Sequence, residues 1–464
     1  MSGTLLDAWR ETVRRDSTRR ALIEAATGGQ FTFQQVEDRA EAWAREHGAS
    51  VANLKGGCVL FSESNGIRWF DLMLGLLKLG SIPVPLDSAE PLESQKKLAI
   101  ALRATARWEG TRLAPLELDN RRSRRFRGSG DCLIKLTSGS TGTPRPLLFS
   151  HHQLIADATQ VMSTMGVTRK DLNYALIPFG HSYGLGNLSL PLIIAGVPAV
   201  CGTSPLPHAM AADFANWKPT VFPGVPAILR ALASTEGIAL RSLRLAISAG
   251  APLHVETALA FRQRFGQCIH SFYGSSETGG ISYDRDGQAT LEGSVGTAMD
   301  GVTLSLLGRD RLNVSSAAVI TAGNRRRQDG HGAWIMADRV QVGADHCLKL
   351  IGRRGTMVKI AGRRVELTEV AAAIRRLPGV EDAWVGTGDG AEPVLGAAVA
   401  SRRTVADLRQ ALASELPSWK VPRKWLVLSA LPQSERGKTD ARALIAAIFP
   451  TGVAGPERRL TPPP

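Results

Sequence analysis

The chain has 464 residues, 44% hydrophobic and 21% charged, enough for a large core and more than one domain. Its formal charge of +14 favours anionic partners such as nucleotides, coenzymes, acidic proteins or nucleic acid without choosing among them. Five widely spaced cysteines, with no CxxC pair, argue against a zinc site or a disulfide framework.

The N-terminal stretch MSGTLLDAWRETVRRD is amphipathic but has no apolar signal core. FTFQQVEDRAEAWARE predicts a helix with Thr32 as N-cap. GGCVLFSESN predicts a buried strand that ends in a polar loop, and IRWFDLMLGLLKLGSIPVPLD a helix, a glycine stop and a short strand. The apolar run CLIKL leads into LTSGSTGTPRP at 136–146. LNYALIP predicts a strand, LSLPLIIAG a helix despite its proline, TVFPGVPAILRALA a strand, turn and helix, and LRLAISAGAPL a strand entering a Gly/Ala turn. Alternating helix and strand signals predict an α/β protein. No apolar run reaches the about 20 uninterrupted residues of a membrane helix, so no integral membrane segment and a reduced, cytoplasmic location are expected.

The pattern changes near residue 352. Strand MVKIAG, helix LTEVAAAIRRL, strands VEDAWVG and PVLGAAVA, helix TVADLRQALASEL and a lysine-bearing loop predict a second, smaller domain. The expected division is 1–352 for the first domain, 353–356 for a hinge, 357–450 for the second domain and 451–464 for a Pro-rich disordered tail.

Two stretches carry chemistry. In the first, Gly139 and Gly142 free the backbone, Thr137, Ser138, Ser140, Thr141 and Thr143 offer hydroxyls, and Arg145 adds a fixed cation. Convergent N–H, O–H and guanidinium donors suit a polyphosphate, although a solvated linker has the same composition. The spacing is not the Walker pattern. In the second, SFYGSSETGG at 271–280, Glu277 is the only carboxylate among hydroxyls and glycines. A carboxylate there suits Mg²⁺ and Tyr273 suits a planar base, while a helix-capping Ser/Glu pair is the plain alternative.

Together they resemble the adenylate-forming (AMP-dependent) acyl-CoA synthetase and ligase superfamily. TSGSTGTPR at 137–145 is similar to its phosphate-loop signature and YGSSE at 273–277 to its second one. In order along the chain, PFGHSYGLG (178–186) resembles the acid-binding loop, ISAGAPL (247–253) the adenine turn, and GSVGTAMDGV (293–302) the glycine segment that follows. MADRV (336–340) resembles the ribose motif, IGRRGTMVKIAGRRVELTEV (351–370) the hinge region, and LPQSERGKTDARAL (431–444) the terminal lysine motif.

The resemblance implies a large N-terminal body of two stacked sheets with helices and a small barrel, plus a small mobile α+β C-terminal domain. It implies a two-step reaction in which a carboxylic acid and ATP give an acyl-adenylate, and a phosphopantetheine thiol then displaces AMP. By resemblance, residues 137–145 hold the β- and γ-phosphates, Glu277 holds Mg²⁺, and Ser276 donates to the α-phosphate or the acid. Tyr273, with Gly274 beside it, and the backbone of Gly250 and Ala251 flank adenine; Asp338 and Arg353 serve the ribose; His181 sits where acid and adenylate meet; and Lys438 bridges phosphate and carboxylate in the first step. Gly362 would let pantetheine pass after a domain rotation.

Three positions depart from the pattern. Arg145 replaces the usual lysine, Ala337 replaces a glycine, and Gly355 stands where a hinge anchor is usual. The acid loop 178–186 has no carboxylate to meet an ammonium, so a fatty or aryl acid is expected. The acceptor is CoA or an acyl carrier protein. A non-catalytic nucleotide-binding relative is the alternative, and a nucleic-acid partner is not expected because no recognisable module is present.

Overall fold

The computed structural model describes residues 3–51, 54–116, 130–137, 145–320, 332–353, 357–360, 363–388, 394–416, 418–433 and 439–450. The expected hinge residues 354–356, Gly362, Lys438, an arginine-rich stretch, RRSRRFR at 121–127, and the tail 451–464 lie outside them, as do residues 138–144.

The chain divides into two compact units, residues 1–336 with 341–350, and residues 337–340 with 351–464. The first is built on a nine-stranded sheet. Parallel strands Arg20–Glu24, Ala199–Cys201, Asn173–Ala175, Val221–Gly224, Leu245–Ser248 and Ile269–Ser275 form its middle, and antiparallel strands close both edges. A four-stranded sheet contains Cys58–Ser62, Ile82–Leu86 and Ala106–Trp108 in parallel and Leu113–Pro115 antiparallel. One apolar cluster joins both sheets to the helices between them, from Leu22, Ala175 and Ala199 to Val59, Phe61 and Ala106. Both sheets are mostly parallel, so their strands read as unbroken apolar runs.

The helices on this core follow their sequence patterns. Leu5–Asp16 opens with a capping box between Thr4 and Asp7 and buries Leu5, Trp9, Thr12, Val13 and Asp16 on one stripe. Phe33–His47 starts at Thr32 as expected, with Gln35 completing the box, and buries Phe33, Val36, Ala40 and Trp43. His151–Met165 is capped by Ser150 and Gln153, but its inner face also carries Gln153 and Asp157. LSLPLIIAG is helical where expected: Pro191 lies within a continuous helical run, directly after the π-helical turn Leu185–Ser189, the kind of irregularity that accompanies a residue lacking an N–H. The strand in LNYALIP is only Asn173–Ala175, because Asn65 takes over from the sheet, donating to the Ile177 carbonyl and accepting from the Phe179 N–H.

Asp16 ends the first helix and is almost fully buried, yet Arg15, Arg19 and Arg169 all reach it at 2.8–3.0 Å. Burial works to raise its pKa, but the hydrogen bonds and charges of Arg19 and Arg15 outweigh this and hold it below the ordinary value. A carboxyl depressed on folding stabilises fully above its unfolded value and loses that contribution as pH falls through the folded one. Asp16→Asn is therefore expected to cost about 2 kcal/mol at neutral pH, less than a fully buried pair because the guanidiniums keep contact with water. Melting curves from pH 7 to pH 3 check this: the gap between parent and variant should close below about pH 4.

Antiparallel strands Thr303–Leu307 and Arg311–Ser316 share a second four-stranded sheet with the long Gly332–Val342 and with Leu348–Arg353. The boundary between the units crosses the last two of these strands.

The second unit has a three-stranded sheet, Val380–Thr387, Leu395–Ser401 and Lys424–Leu428. Alternation along Leu395–Ser401 sends Ala397 and Val399 to one core, shared with helices Leu367–Arg375 and Val405–Glu415. Ala398 and Ala400 go to the other, under helix Ala441–Ile448. Strands Met357–Ile360 and Arg363–Glu366 pair beside them. No helix among the described residues is long and apolar enough to cross a membrane.

Candidate active site

Three adjacent parallel strands of the large sheet, Val221–Gly224, Leu245–Ser248 and Ile269–Ser275, pair with Gly224 opposite Ser248 and Ser248 opposite Ser271, and the third runs on to Ser275. Loops beyond the carboxyl ends of such strands form the ligand crevice of open α/β sheets. Here those loops are the segments picked out by sequence. Gly250 takes the left-handed region (φ +87°) and, with Ala251, is exposed just past Ser248. Tyr273 is buried, Gly274 is exposed, and Ser276 and Glu277 are half-buried.

The turn carrying Glu277 is held by its backbone. The Glu277 and Thr278 N–H groups donate to the Ser275 hydroxyl at 3.2 and 3.3 Å, and the Glu277 carbonyl accepts from the Ile320 N–H at 3.0 Å. The side chain of Glu277 is therefore not what builds the turn. Gly279 follows with φ +71°, and the Gly280 N–H donates to Asp157 Oδ1 at 3.0 Å.

The expected acid loop, residues 178–186, meets this turn directly. Ser182 Oγ donates to Ser276 Oγ at 2.9 Å, across 94 residues of sequence. Tyr183 donates to the Ile247 carbonyl at 3.3 Å and lies 5.8 Å from the Phe272 ring; burial pushes its phenol pKa well up, so it stays a neutral donor. Gly184 is required by close approach, since a side chain there would collide with the Pro178 carbonyl. His181 Nε2 pairs with Asp87 Oδ2 at 2.9 Å, at the end of the second sheet's strand Ile82–Leu86. A five-residue π-helical turn, Leu185–Ser189, follows.

Strands Asp131–Thr137 and Arg145–Ser150 pair antiparallel, with Thr137 opposite Arg145. The expected phosphate-loop residues Ser138, Gly139, Ser140, Thr141, Gly142 and Thr143 lie between them, outside the described residues. Arg145 is exposed at the strand's start, with its guanidinium 6.0 Å from the Trp334 ring. Buried on the same strand pair, Lys135 has its ammonium 4.0 Å from Asp157 Oδ2 and 4.3 Å from the Phe149 ring.

The structure thus brings Ser276, Glu277, Tyr273, Gly274 and Gly250 together with the loop bearing His181. Asp338, half-buried on Gly332–Val342, and Arg353, at the end of Leu348–Arg353, belong to the second unit. Lys438 lies outside the described residues. Reading by sequence missed Asp87, Lys135 and Asp157. Lys135 left a signal, a lone cation inside CLIKL; Asp157 left one as well, an acid on the apolar stripe of its helix.

Glu277 offers hard oxygen atoms beside the hydroxyl of Ser276. Among the described residues no cluster of three or more His, Cys, Asp or Glu is placed to hold a metal by itself. A single carboxylate that shares its ion with substrate phosphates is the usual way proteins take Mg²⁺, so the donor set fits that ion.

A family model for AMP-binding enzymes matches residues 94–319, the stretch that contains both signature loops and the strands beneath them. Residues 94–319 of the chain thus match the AMP-binding enzyme family. The chain is 28% identical to the anthranilate–CoA ligase of Pseudomonas aeruginosa over 376 residues, 73% of this chain and 71% of that protein. It is also 28% identical to the L-proline–carrier protein ligase of Streptomyces coelicolor over 342 residues, 66% of this chain and 64% of the relative. ATP-bound MatB from Rhodopseudomonas palustris has the same fold, with a TM-score of 0.81 over 96% of this chain and 99% of MatB at 19% identity.

Proposed function

We propose that this protein activates a carboxylic acid with ATP and passes the acyl group to a phosphopantetheine thiol, on CoA or on an acyl carrier protein. In the first step a carboxylate oxygen bonds to the α-phosphorus and pyrophosphate leaves. In the second a thiolate bonds to the acyl carbon, AMP leaves, and a thioester remains. The observation that carries this reading is the Ser182–Ser276 hydrogen bond, which joins the acid loop to the Glu277 turn at the carboxyl edge of the sheet.

The residues meet the needs of the chemistry. Joining two anions requires charge neutralisation and alignment. Thr137 and Arg145 would flank the phosphate loop, and Ser276, which accepts from Ser182, would donate to the α-phosphate or the acid. Glu277 would hold Mg²⁺, which neutralises phosphate charge when bound. Tyr273, Gly250 and Ala251 would flank adenine, Asp338 and Arg353 would take the ribose, and Lys438 would serve the first step from a mobile C-terminal domain hinged at 353–356. His181, oriented by Asp87, would close the acid pocket. That loop has no carboxylate, which favours a fatty or aryl acid over an amino acid; kinship with an anthranilate ligase supports the aryl choice. Basic charge suits either acceptor, and a cytoplasmic location fits both.

Acid-dependent ATP–pyrophosphate exchange across a panel of carboxylic acids tests the reading. Exchange is expected with at least one acid, and Lys438→Ala should lower it by about a hundredfold. Nucleotide binding with no exchange for any acid would leave a non-catalytic relative instead. Thioester formation with CoA and with a carrier protein then separates the acceptors.

A further inference from the structure

A buried lysine is an expensive way to fill a strand. Lys135 and Asp157 are 2% and 4% exposed, and their charges are 4.0 Å apart. Apolar residues of similar volume generally give equal or greater stability than such a pair. Packing alone therefore does not account for it, and its surroundings indicate what does.

Lys135 lies two residues before Thr137, on the strand that enters the phosphate-loop segment. Asp157 comes from helix His151–Met165 and uses both carboxylate oxygens: Oδ2 faces Lys135, while Oδ1 accepts the Gly280 N–H at 3.0 Å. Gly279 approaches that carboxylate so closely that any side chain on it would collide with Asp157, and its φ of +71° favours glycine independently. One carboxylate thus ties the strand before the phosphate loop to the turn bearing Glu277.

We propose that Lys135 and Asp157 are positioning residues of the ATP site, a buried ion pair that holds the Gly279–Gly280 backbone and through it sets where Glu277 stands. This rests on the reading of the 274–280 turn as part of an ATP site. The pair acts by restricting the turn rather than by touching substrate. Burial pulls the Lys135 pKa down, while Asp157, then Cys132 and Glu277, pull it back up.

The test compares Asp157→Asn, Lys135→Met and the double variant. ATP affinity in the presence of Mg²⁺ is measured by calorimetry, KM for ATP and kcat by exchange, and folding by melting temperature. Each single variant leaves one partner buried alone and is expected to weaken ATP binding about tenfold, with KM rising more than kcat falls. The double variant restores charge balance, and the amide oxygen that Asp157→Asn introduces still accepts from the Gly280 N–H. It should return to within about threefold of the parent even if a single variant fails to fold. ATP binding unchanged in the single variants, with only the melting temperature lowered, overturns the proposal. So does a tenfold loss that persists in the double variant. A parent protein that binds no ATP removes the ATP-site reading itself and the proposal with it, whereas a parent that binds tightly and variants that match it remove the proposal alone.

Discussion

Glu277→Gln is expected to lower acid-dependent ATP–pyrophosphate exchange by about a hundredfold or more while the melting temperature stays within about 2 °C of the parent. The two halves of this expectation come from different atoms. The turn is held through the Glu277 N–H and carbonyl, to Ser275 and Ile320, and glutamine keeps both. What glutamine removes is the negative charge, the one feature a hard cation on the triphosphate would need. Raising Mg²⁺ concentration should recover part of the lost rate if the charge acts by holding the ion. A variant with near-parental exchange would remove Glu277 from the reaction.

The second large effect is on folding. Gly296 sits at φ +76°, its N–H donates to the Ser294 hydroxyl at 3.1 Å, and its carbonyl accepts from Leu348 at 2.8 Å. A side chain there would run into the Tyr283 carbonyl group and the Asp284 nitrogen, main-chain atoms of a neighbouring strand that cannot rotate aside. Gly296→Ala therefore combines a left-handed backbone penalty with overpacking and is expected to cost about 3 kcal/mol or more. Gly293 is the control. It has a similar φ of +72°, but the nearest atom to a new Cβ is Val255 Cγ2 at 3.8 Å, so Gly293→Ala should cost only about 1 kcal/mol. Melting temperatures of the two variants check this; equal losses would mean that the close approach has no energetic weight.

How much of this was legible beforehand depends on the reach of each interaction. The helix at Phe33–His47 could be read because Thr32, Gln35 and the apolar stripe all act within a few residues. The two signature loops stood out because hydroxyls and glycines are concentrated there, and composition survives without coordinates. The contacts that assemble the site could not be read that way. Ser182 to Ser276 and His181 to Asp87 each span 94 residues, and Gly280 to Asp157 spans 123. No local pattern encodes such pairings. Lys135 and Asp157 are each anomalous in their own strand or helix, but only folding shows that the two anomalies cancel. The strand in LNYALIP was overextended for a related reason: the apolar residues 176–179 are recruited by Asn65, a distant amide, instead of the sheet.

The long strand Gly332–Val342 has a practical corollary for dissecting the molecule. Residues 337–340 cluster with the C-terminal unit, and Arg339 meets the buried carboxylate of Glu366 at 3.2 Å within it. A C-terminal fragment started at residue 353 would shed that guanidinium and with it the Arg339–Glu366 ion pair. Anyone expressing the smaller piece separately should start upstream of 337, so that this pair stays whole.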